Sequence, residues 1–544
     1  VNQDKLIENS KNIRTSSASS IISAPLSSAP TMKSQNFAAE SDNLGFSTGG
    51  AKDVGNFRQN IENGYTPQLT DITVEGLFYD YFFDTGQSKE CNQLFCPSYA
   101  QAISKSPIDD KEKLFMSVGL NSGIKESDFS RKKLNLVIVL DISGSMRSPF
   151  DRYYYDKQHR KFDDDDGYDW TKNKMEVAKE SIVGLTKHLQ KDDNFGVVLF
   201  NNSGHLAKPI NLVGNTDLET IQKHIMDIKE GGGTNMEAGL NLGSKLFDDV
   251  KFKNRDEYEN RIIFLTDAQP NRGRYGKSDF MKITRDNAEN DIYTTFIGIG
   301  IDFNTKLVEH ITKVKGANYF AVHNSKDFNK RMDDEFDFMV TPLVFDLQLQ
   351  LKSESYKIVE VYGSPEADKS TNELMKINTL FPSKQTDGKT KGGLVLLELE
   401  KMNSGRNDLN LEVFYEDRSG KKFTNSEKIK FEENEGINFD NFGIRKGILL
   451  VNYVKLIKEW ISFERGIPEE KQNKKDDWQY GKKKHRFSNG QKSKWEQHSI
   501  KLSVSDKYEE KFKQFKKYFE DEMEIINDDD LKQEVDILNI LIGI

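Results

Sequence analysis

Three short segments carry side chains whose oxygens suit a hard divalent cation. They are Asp141-Ile142-Ser143-Gly144-Ser145-Met146, Gly231-Gly232-Gly233-Thr234-Asn235 and Asp267-Ala268-Gln269-Pro270-Asn271. Asp141, Ser143, Ser145, Thr234 and Asp267 together supply two carboxylates and three hydroxyls. An all-oxygen set favours Mg2+, Mn2+ or Ca2+ over zinc. The alternation Asp-x-Ser-x-Ser sends three side chains of one loop in the same general direction. Thr234 sits in a glycine-rich loop, which can approach a neighbour closely because glycine has no Cβ.

Groups so far apart in the chain need a scaffold that returns them to one place. Leu134–Asp141 (LNLVIVLD), Asn194–Phe200 (NFGVVLF), Arg261–Thr266 (RIIFLT) and Ile292–Ile299 (IYTTFIGI) are nearly continuous apolar runs, as strands buried on both faces require. Helical spacing separates them, over Lys174–Leu189, Leu218–Ile228, Asn235–Phe247 and Phe303–Val314. A short strand is expected at Ala317–Val322. Strands alternating with helices predict a parallel sheet between helical layers. Asp141 and Asp267 then stand at the carboxyl ends of two strands, where open α/β sheets bind ligands.

The pattern changes after Pro342. Leu343–Lys352, Lys357–Val361, Gly393–Glu400 and Asp408–Tyr415 alternate apolar and polar residues, which predicts a β-sandwich. Leu114–Leu120 reads as a strand. If it joins that sandwich, the α/β unit is an insertion in a β domain. The organisation expected is a disordered Ser/Ala-rich leader at 1–50, a helical and β segment at 51–130, the α/β unit at 131–340, the sandwich at 341–439 and a helical region at 440–544. The leader has too few large apolar residues to offset its ordering entropy. Order is expected near Asp53, with helices around Val54–Ile61 and from about Thr70. Gly447–Trp460 and Lys507–Ile526 read as helices. The basic stretch Lys471–Lys494 between them reads as a polyanion-binding loop or, since acidic neighbours dilute its charge, as a solvated surface loop.

Of 544 residues, 36% are hydrophobic and 30% charged, with a net charge of -9. That balance argues against general nucleic-acid binding, which needs a basic footprint. Runs such as Leu136–Ile142 and Ile448–Ile461 fall short of the ~18–20 apolar residues of a membrane helix, so no membrane span is expected. Two cysteines exclude a disulfide-framework fold. Their spacing, Cys91 and Cys96, suits a small-loop disulfide, or else two free thiols.

The three polar segments, in this order and on these local structures, resemble the von Willebrand factor A (VWA) domain with its metal-ion-dependent adhesion site. All five positions of that pattern have a counterpart: Asp141, Ser143, Ser145, Thr234 and Asp267. The resemblance implies an α/β, Rossmann-like domain in which Ser143 and Ser145 ligate the metal directly. Thr234 would do so directly or through water, and Asp141 and Asp267 mainly through water. Mg2+, or Ca2+ or Mn2+, would keep a position open for an Asp or Glu carboxylate of a protein partner. The segments NFRQNIENGYTPQLTDITVEGLFYDYF and INTLFPSKQTDGKTKGGLVLLELE look like multi-domain bacterial proteins with a central A domain. The arrangement is also similar to inter-alpha-trypsin inhibitor heavy chains. Those likenesses imply an extracellular, cell-surface or envelope-associated protein. One departure is the insert Arg147–Thr171, with Tyr153, Tyr154, Tyr155 and Asp163, Asp164, Asp165, Asp166. It could frame the ligand pocket, hold a second Ca2+, or form a solvated acidic loop.

Catalysis has little support. Ser143 or Ser145 as a nucleophile would need a nearby base, yet no His adjoins the motif and GxSxG is absent. The choice lies between a cation-dependent binding or adhesion protein and a structural subunit of a surface assembly, including self-assembly, whose A domain is constitutively packed. An auxiliary subunit of a channel or transporter is a further possibility, without an anchor to support it.

Overall fold

A computed structural model describes residues 43–51, 54–87, 92–105, 107, 111–149, 173–250, 256–267, 277–300, 313–322, 335–366, 374–402, 408–431, 436–467 and 500–543. Order begins earlier than composition implies. β1 (Asn43–Thr48) falls inside the stretch expected to be disordered, and β2 (Gly50–Ala51) follows it. β1 pairs antiparallel with residues 380–383 on one side and with residues 121–125 on the other. Leu44 and Phe46 are thereby fully buried. Its ladder partners are distant in sequence, so local composition understates its burial. Next come α1 (Gly55–Glu62), α2 (Val74–Tyr79), β3 (Phe82–Asp84), β4 (Cys96–Lys105) and β5 (Glu112–Lys125). Thr73 caps α2 by accepting from the Gly76 amide.

The chain then leaves this sheet and builds the α/β unit. Its elements are β6 (Lys133–Asp141), α3 (Lys174–Thr186), β7 (Asn194–Phe200), β8 (Gly204–Leu212), α4 (Leu218–Met226), α5 (Met236–Lys245), β9 (Tyr258–Thr266), α6 (Lys277–Glu289), β10 (Ile292–Ile299) and β11 (Asn318–Val322). The helix expected over Phe303–Val314 lies mostly outside the described residues. The strands form one sheet in the order β2-β11-β10-β9-β6-β7-β8. Every pairing is parallel except that of the edge strand β8. Sequence patterning missed β8 because an edge strand with Pro209 and the polar residues His205, Lys208 and Asn211 carries no apolar run. Side chains on alternate faces of β6 and β9 enter two cores. Leu136, Ile138 and Ile263 meet Met175 and Ile182 of α3, while Val137, Val139 and Phe264 meet Leu240 of α5 and Phe280 of α6.

The chain re-enters the first sheet with β12 (Val344–Lys352), β13 (Tyr356–Tyr362), β14 (Leu374–Ser383), β15 (Gln385–Thr386), β16 (Lys389–Lys391), β17 (Leu394–Lys401), β18 (Asp408–Asp417), β19 (Lys422–Lys430) and β20 (Asn438–Phe439). β17 pairs with β5, from Leu394 opposite Gly119 to Leu399 opposite Leu114. The α/β unit is therefore inserted in the β domain. β5 serves both halves of that domain. Its first part lies between β4 and β17, and its end reaches β1. Met116, Val118 and Leu397 from one half share a core with Leu349, Ile377 and Val413 from the other. On the other face, Ala102, Phe115 and Leu396 pack with α1, α2, α7 (Phe442–Glu464), α8 (Asp506–Ile526) and α9 (Lys532–Ile542).

The β domain meets the α/β unit at the amino ends of the parallel strands. Arg418, in the β18–β19 turn, donates to Glu259 at the start of β9 (2.5 Å). Thr379 Oγ1 accepts from the Gly316 amide (2.8 Å), and Asn378 donates to the Lys313 carbonyl (2.6 Å). The carboxyl ends of β6 and β9, which carry Asp141 and Asp267, point the other way.

Candidate metal centre

β6 and β9 are neighbours in parallel register. Asp141 is the last residue of β6 and Asp267 follows the last residue of β9, so both reach the same crevice, fully buried. The Asp141 carboxylate is held at both oxygens. Oδ1 accepts from the Ser143 amide (2.8 Å), and Oδ2 accepts from Thr266 Oγ1 (2.7 Å). Burial, and then the charge of Asp267, pushes its carboxyl up to about 7 despite those hydrogen bonds.

Ser143 and Ser145 place their hydroxyl oxygens 3.1 Å apart. Two adjacent vertices of an octahedron with ~2.0–2.1 Å metal–oxygen bonds stand about 3 Å apart. The serine pair therefore has the spacing of neighbouring ligands to one small cation.

The glycine loop is stitched to this loop by backbone. The Gly231 amide donates to the Ile142 carbonyl (2.7 Å), and the Gly144 amide donates to the Gly232 carbonyl (3.0 Å). Gly232 has φ +92, and a Cβ there would stand 2.9 Å from Asn202 Nδ2. The loop thus needs glycine for its backbone and for its packing. Fully buried Thr234 follows. Asn235 then caps α5, its side chain accepting from the Ala238 amide (3.1 Å).

Two asparagines that sequence reading passed over shape this loop. Asn201 Nδ2 donates to the Gly231 carbonyl (2.9 Å), and Asn202 Oδ1 accepts from the Gly233 amide (3.0 Å). A polar pair placed directly after the buried run NFGVVLF was the available signal. Lys174 was also missed. It opens α3, is fully buried, and holds its ammonium 3.4 Å from Asp267 Oδ2. A lysine at a helix start is usually solvated, so sequence alone could not distinguish it.

The donor set fits a divalent cation. Two buried carboxylates repel one another across the crevice, three hydroxyls accompany them, and a doubly charged ion would relieve the repulsion. At the rim Arg147 Nε donates to Glu230 Oε1 (2.7 Å), joining the first loop to the approach of the second. Pro149 and Asn173 form a β-bridge, so the insert springs from and returns to one point beside the crevice. Tyr153, Tyr154, Tyr155, Asp163, Asp164, Asp165 and Asp166 lie outside the described residues. So does Cys91, while Cys96 begins β4.

Residues 135–334 match the von Willebrand factor type A domain. The inter-alpha-trypsin inhibitor heavy chain H1 of Sus scrofa is 22% identical over 225 residues, 41% of this chain and 22% of that one. Uncharacterized protein YfbK of Escherichia coli K12 is 23% identical over 219 residues, 40% of this chain and 33% of that one. This chain thus matches about a fifth of the heavy chain's length. Among solved structures, a von Willebrand factor type A protein from Catenulispora acidiphila aligns with TM-score 0.42 and 14% identity, covering 69% of this chain and 81% of that one. VWA2 from Sulfolobus acidocaldarius, an ArnB paralog, aligns with TM-score 0.38 and 15% identity, covering 82% and 97%.

Proposed function

From the premise that this chain carries a von Willebrand factor type A domain, we propose that it is a cation-dependent protein-binding protein of the cell surface or extracellular space. Ser143, Ser145 and Thr234 would hold the cation, with Asp141 and Asp267 acting through water. Mg2+ is the first candidate, and Ca2+ or Mn2+ the others. When bound, the ion supplies an electrophilic position for an Asp or Glu side chain of a partner. The chain's own part is to orient the donors. Thr266 and the Ser143 amide fix the Asp141 carboxylate, and Asn201 and Asn202 fix the glycine loop.

The observation that carries this reading is the convergence of two buried carboxylates and a 3.1 Å hydroxyl pair at the end of the sheet away from the β domain. The described contacts with the β domain are at the amino ends, away from that crevice. A charge-assisted contact is worth roughly 1.5–3 kcal/mol, so the surrounding surface must supply the rest of the affinity. The Ser143 hydroxyl is tied to the Asp141 carboxylate and to Ser145 Oγ, so the hydroxyls and the carboxylate belong to one donor set.

The test begins with Mn2+ titrated into the purified protein and followed by the electron paramagnetic resonance of the free ion. One tight site is expected, lost in Asp141→Ala while the circular dichroism stays native. Peptides selected from a random display library in Mg2+ should carry Asp or Glu and be released by EDTA. Equal Mn2+ binding by the variant, or peptides retained in excess EDTA, would overturn the reading.

A further inference from the structure

The described residues contain several buried lysines, and they are neutralised differently. The ammonium of Lys179 donates to the Met226 carbonyl (2.9 Å) and pairs with Glu176 on its own helix (2.7 Å). The ammonium of Lys208 donates to the Phe195 carbonyl (2.6 Å). Both serve local backbone and helix geometry. Lys174 instead brings its charge to the crevice itself, 3.4 Å from the carboxylate of Asp267, with both side chains fully buried. Its place is fixed from outside the site. Asn173 caps α3 by accepting from the Glu176 amide (2.9 Å), and the Lys174 amide donates to the Ser148 carbonyl (3.1 Å). The helix start that carries the ammonium is thereby anchored to the end of the first ligand loop.

Charge bookkeeping gives this placement a consequence. With both carboxylates ionised, Asp141 and Asp267 alone would bring a bound divalent ion to electrical neutrality. A neutral centre has little reason to prefer an anion over water at its open position. Lys174 adds one positive charge within the same low-dielectric crevice, where charges a few ångströms apart interact strongly. Lys174 thereby shifts the loaded centre one charge toward positive, and so toward an anion over water.

We propose that Lys174 is a built-in cation that loosens the hold of the centre on its metal and makes the loaded centre demand an anionic ligand. This deepens the metal-site reading above and rests on it. Lys174 acts here as a positioning and charge-setting residue, through Asp267, and the ligand class it selects is a carboxylate.

The experiment compares wild type, Lys174→Met, Lys174→Gln and Lys174→Arg, with Asp141→Ala as the metal-site control. Mn2+ is titrated in chloride buffer and again with acetate as the anion probe. Lys174→Met and Lys174→Gln should bind Mn2+ about tenfold tighter than wild type, because a repelling charge is removed. Lys174→Arg should stay within about twofold of wild type. Acetate should tighten Mn2+ retention in wild type and have a smaller effect on the two neutral variants. A purely structural role would lower thermal stability equally with and without Mn2+ and would leave the acetate effect unchanged. Two neutral variants guard against one failing to fold. If either folds and binds Mn2+ no more tightly than wild type, the proposal falls while the metal site stands. If wild type shows no Mn2+ binding that Asp141→Ala removes, the metal site falls and takes the proposal with it.

Discussion

The two ends of the parallel sheet bury charge in opposite ways. At the amino end, Arg261 is fully buried and donates to the Gly316 carbonyl (2.8 Å), the Val340 carbonyl (3.0 Å) and Thr295 Oγ1 (3.3 Å). Glu259 pairs with it and also receives Arg418 from the β domain. That cluster lies between two domains and finds its partners within the chain. At the carboxyl end, two buried carboxylates lie together, the ammonium of Lys174 stands 3.4 Å from that of Asp267, and two serine hydroxyls face each other. Burial of charge is therefore no mark of a site by itself. The mark is an all-oxygen donor set with two carboxylates that repel one another, at the end of the sheet away from the described contacts with the β domain.

The sharpest way to break this contrast is at the amino end. Arg261→Met should leave two backbone carbonyls buried without their donor and Glu259 with Arg418 alone. Losing one member of such a cluster costs about 3–5 kcal/mol. Urea denaturation should show that loss, and it should be the same in Mg2+ and in EDTA. A loss confined to EDTA would mean that the two ends are coupled and the contrast is false. At the carboxyl end the expectation reverses. Mn2+ at 100 times its dissociation constant should add about 2.7 kcal/mol of stability by mass action. The Ser143→Ala/Ser145→Ala double variant should lose that gain and otherwise melt like metal-free wild type.

The domain junction makes a pH prediction of its own. Glu366, beside Pro365 that packs on Gly50, is pushed up to about 8 by burial, against hydrogen bonds led by that from Ser364, with Glu75 adding repulsion. A carboxyl raised in the folded state favours folding while protonated. Its contribution is therefore full below about pH 4.5 and is lost as pH rises toward about 8. Between pH 5 and pH 6.5 one proton separates the two states, so wild type should lose roughly 2 kcal/mol from this group. The gap between denaturation midpoints at the two pH values should narrow by that amount in Glu366→Gln, leaving the part that comes from Asp141. An unchanged gap would assign the pH dependence to the carboxyl end instead, where Asp141 is also raised.

The contrast also explains what could be read from sequence. The carboxyl end was legible because its residues sit in local frames: a strand end before Asp-x-Ser-x-Ser, a glycine run before a helix cap, and Asp267 after RIIFLT. The inserted α/β unit was legible because buried parallel strands are long apolar runs. The amino end was not. Arg261 opens the run RIIFLT and reads as a strand-end charge, and its partners at 295, 316 and 340 are set by the fold. β1 escaped for the same reason, since its ladders reach residues 121–125 and 380–383. Asn201, Asn202 and Lys174 are polar residues whose partners come from loops meeting in space. Only the buried run directly before Asn201 and Asn202 hints at their role, and nothing beside Lys174 separates it from a solvated lysine.

The smallest expected effect tests the edge of the uncovered end. Arg147 is 71% exposed, and its pair with Glu230 spans the first ligand loop and the approach to the glycine loop. An ion pair so open to water contributes roughly 0–1 kcal/mol, because solvent screens it and side-chain entropy opposes it. Arg147→Ala should therefore leave the urea midpoint nearly unchanged. The backbone bonds from Gly231 to Ile142 and from Gly144 to Gly232 already join the two loops, so Mn2+ affinity should also stay close to wild type. A large drop in Mn2+ affinity would mean that the rim pair, rather than the backbone, holds the two loops in register. The asparagine-braced loop would then be insufficient to preorganise the centre, and the account of what positions Thr234 would have to shift to the surface.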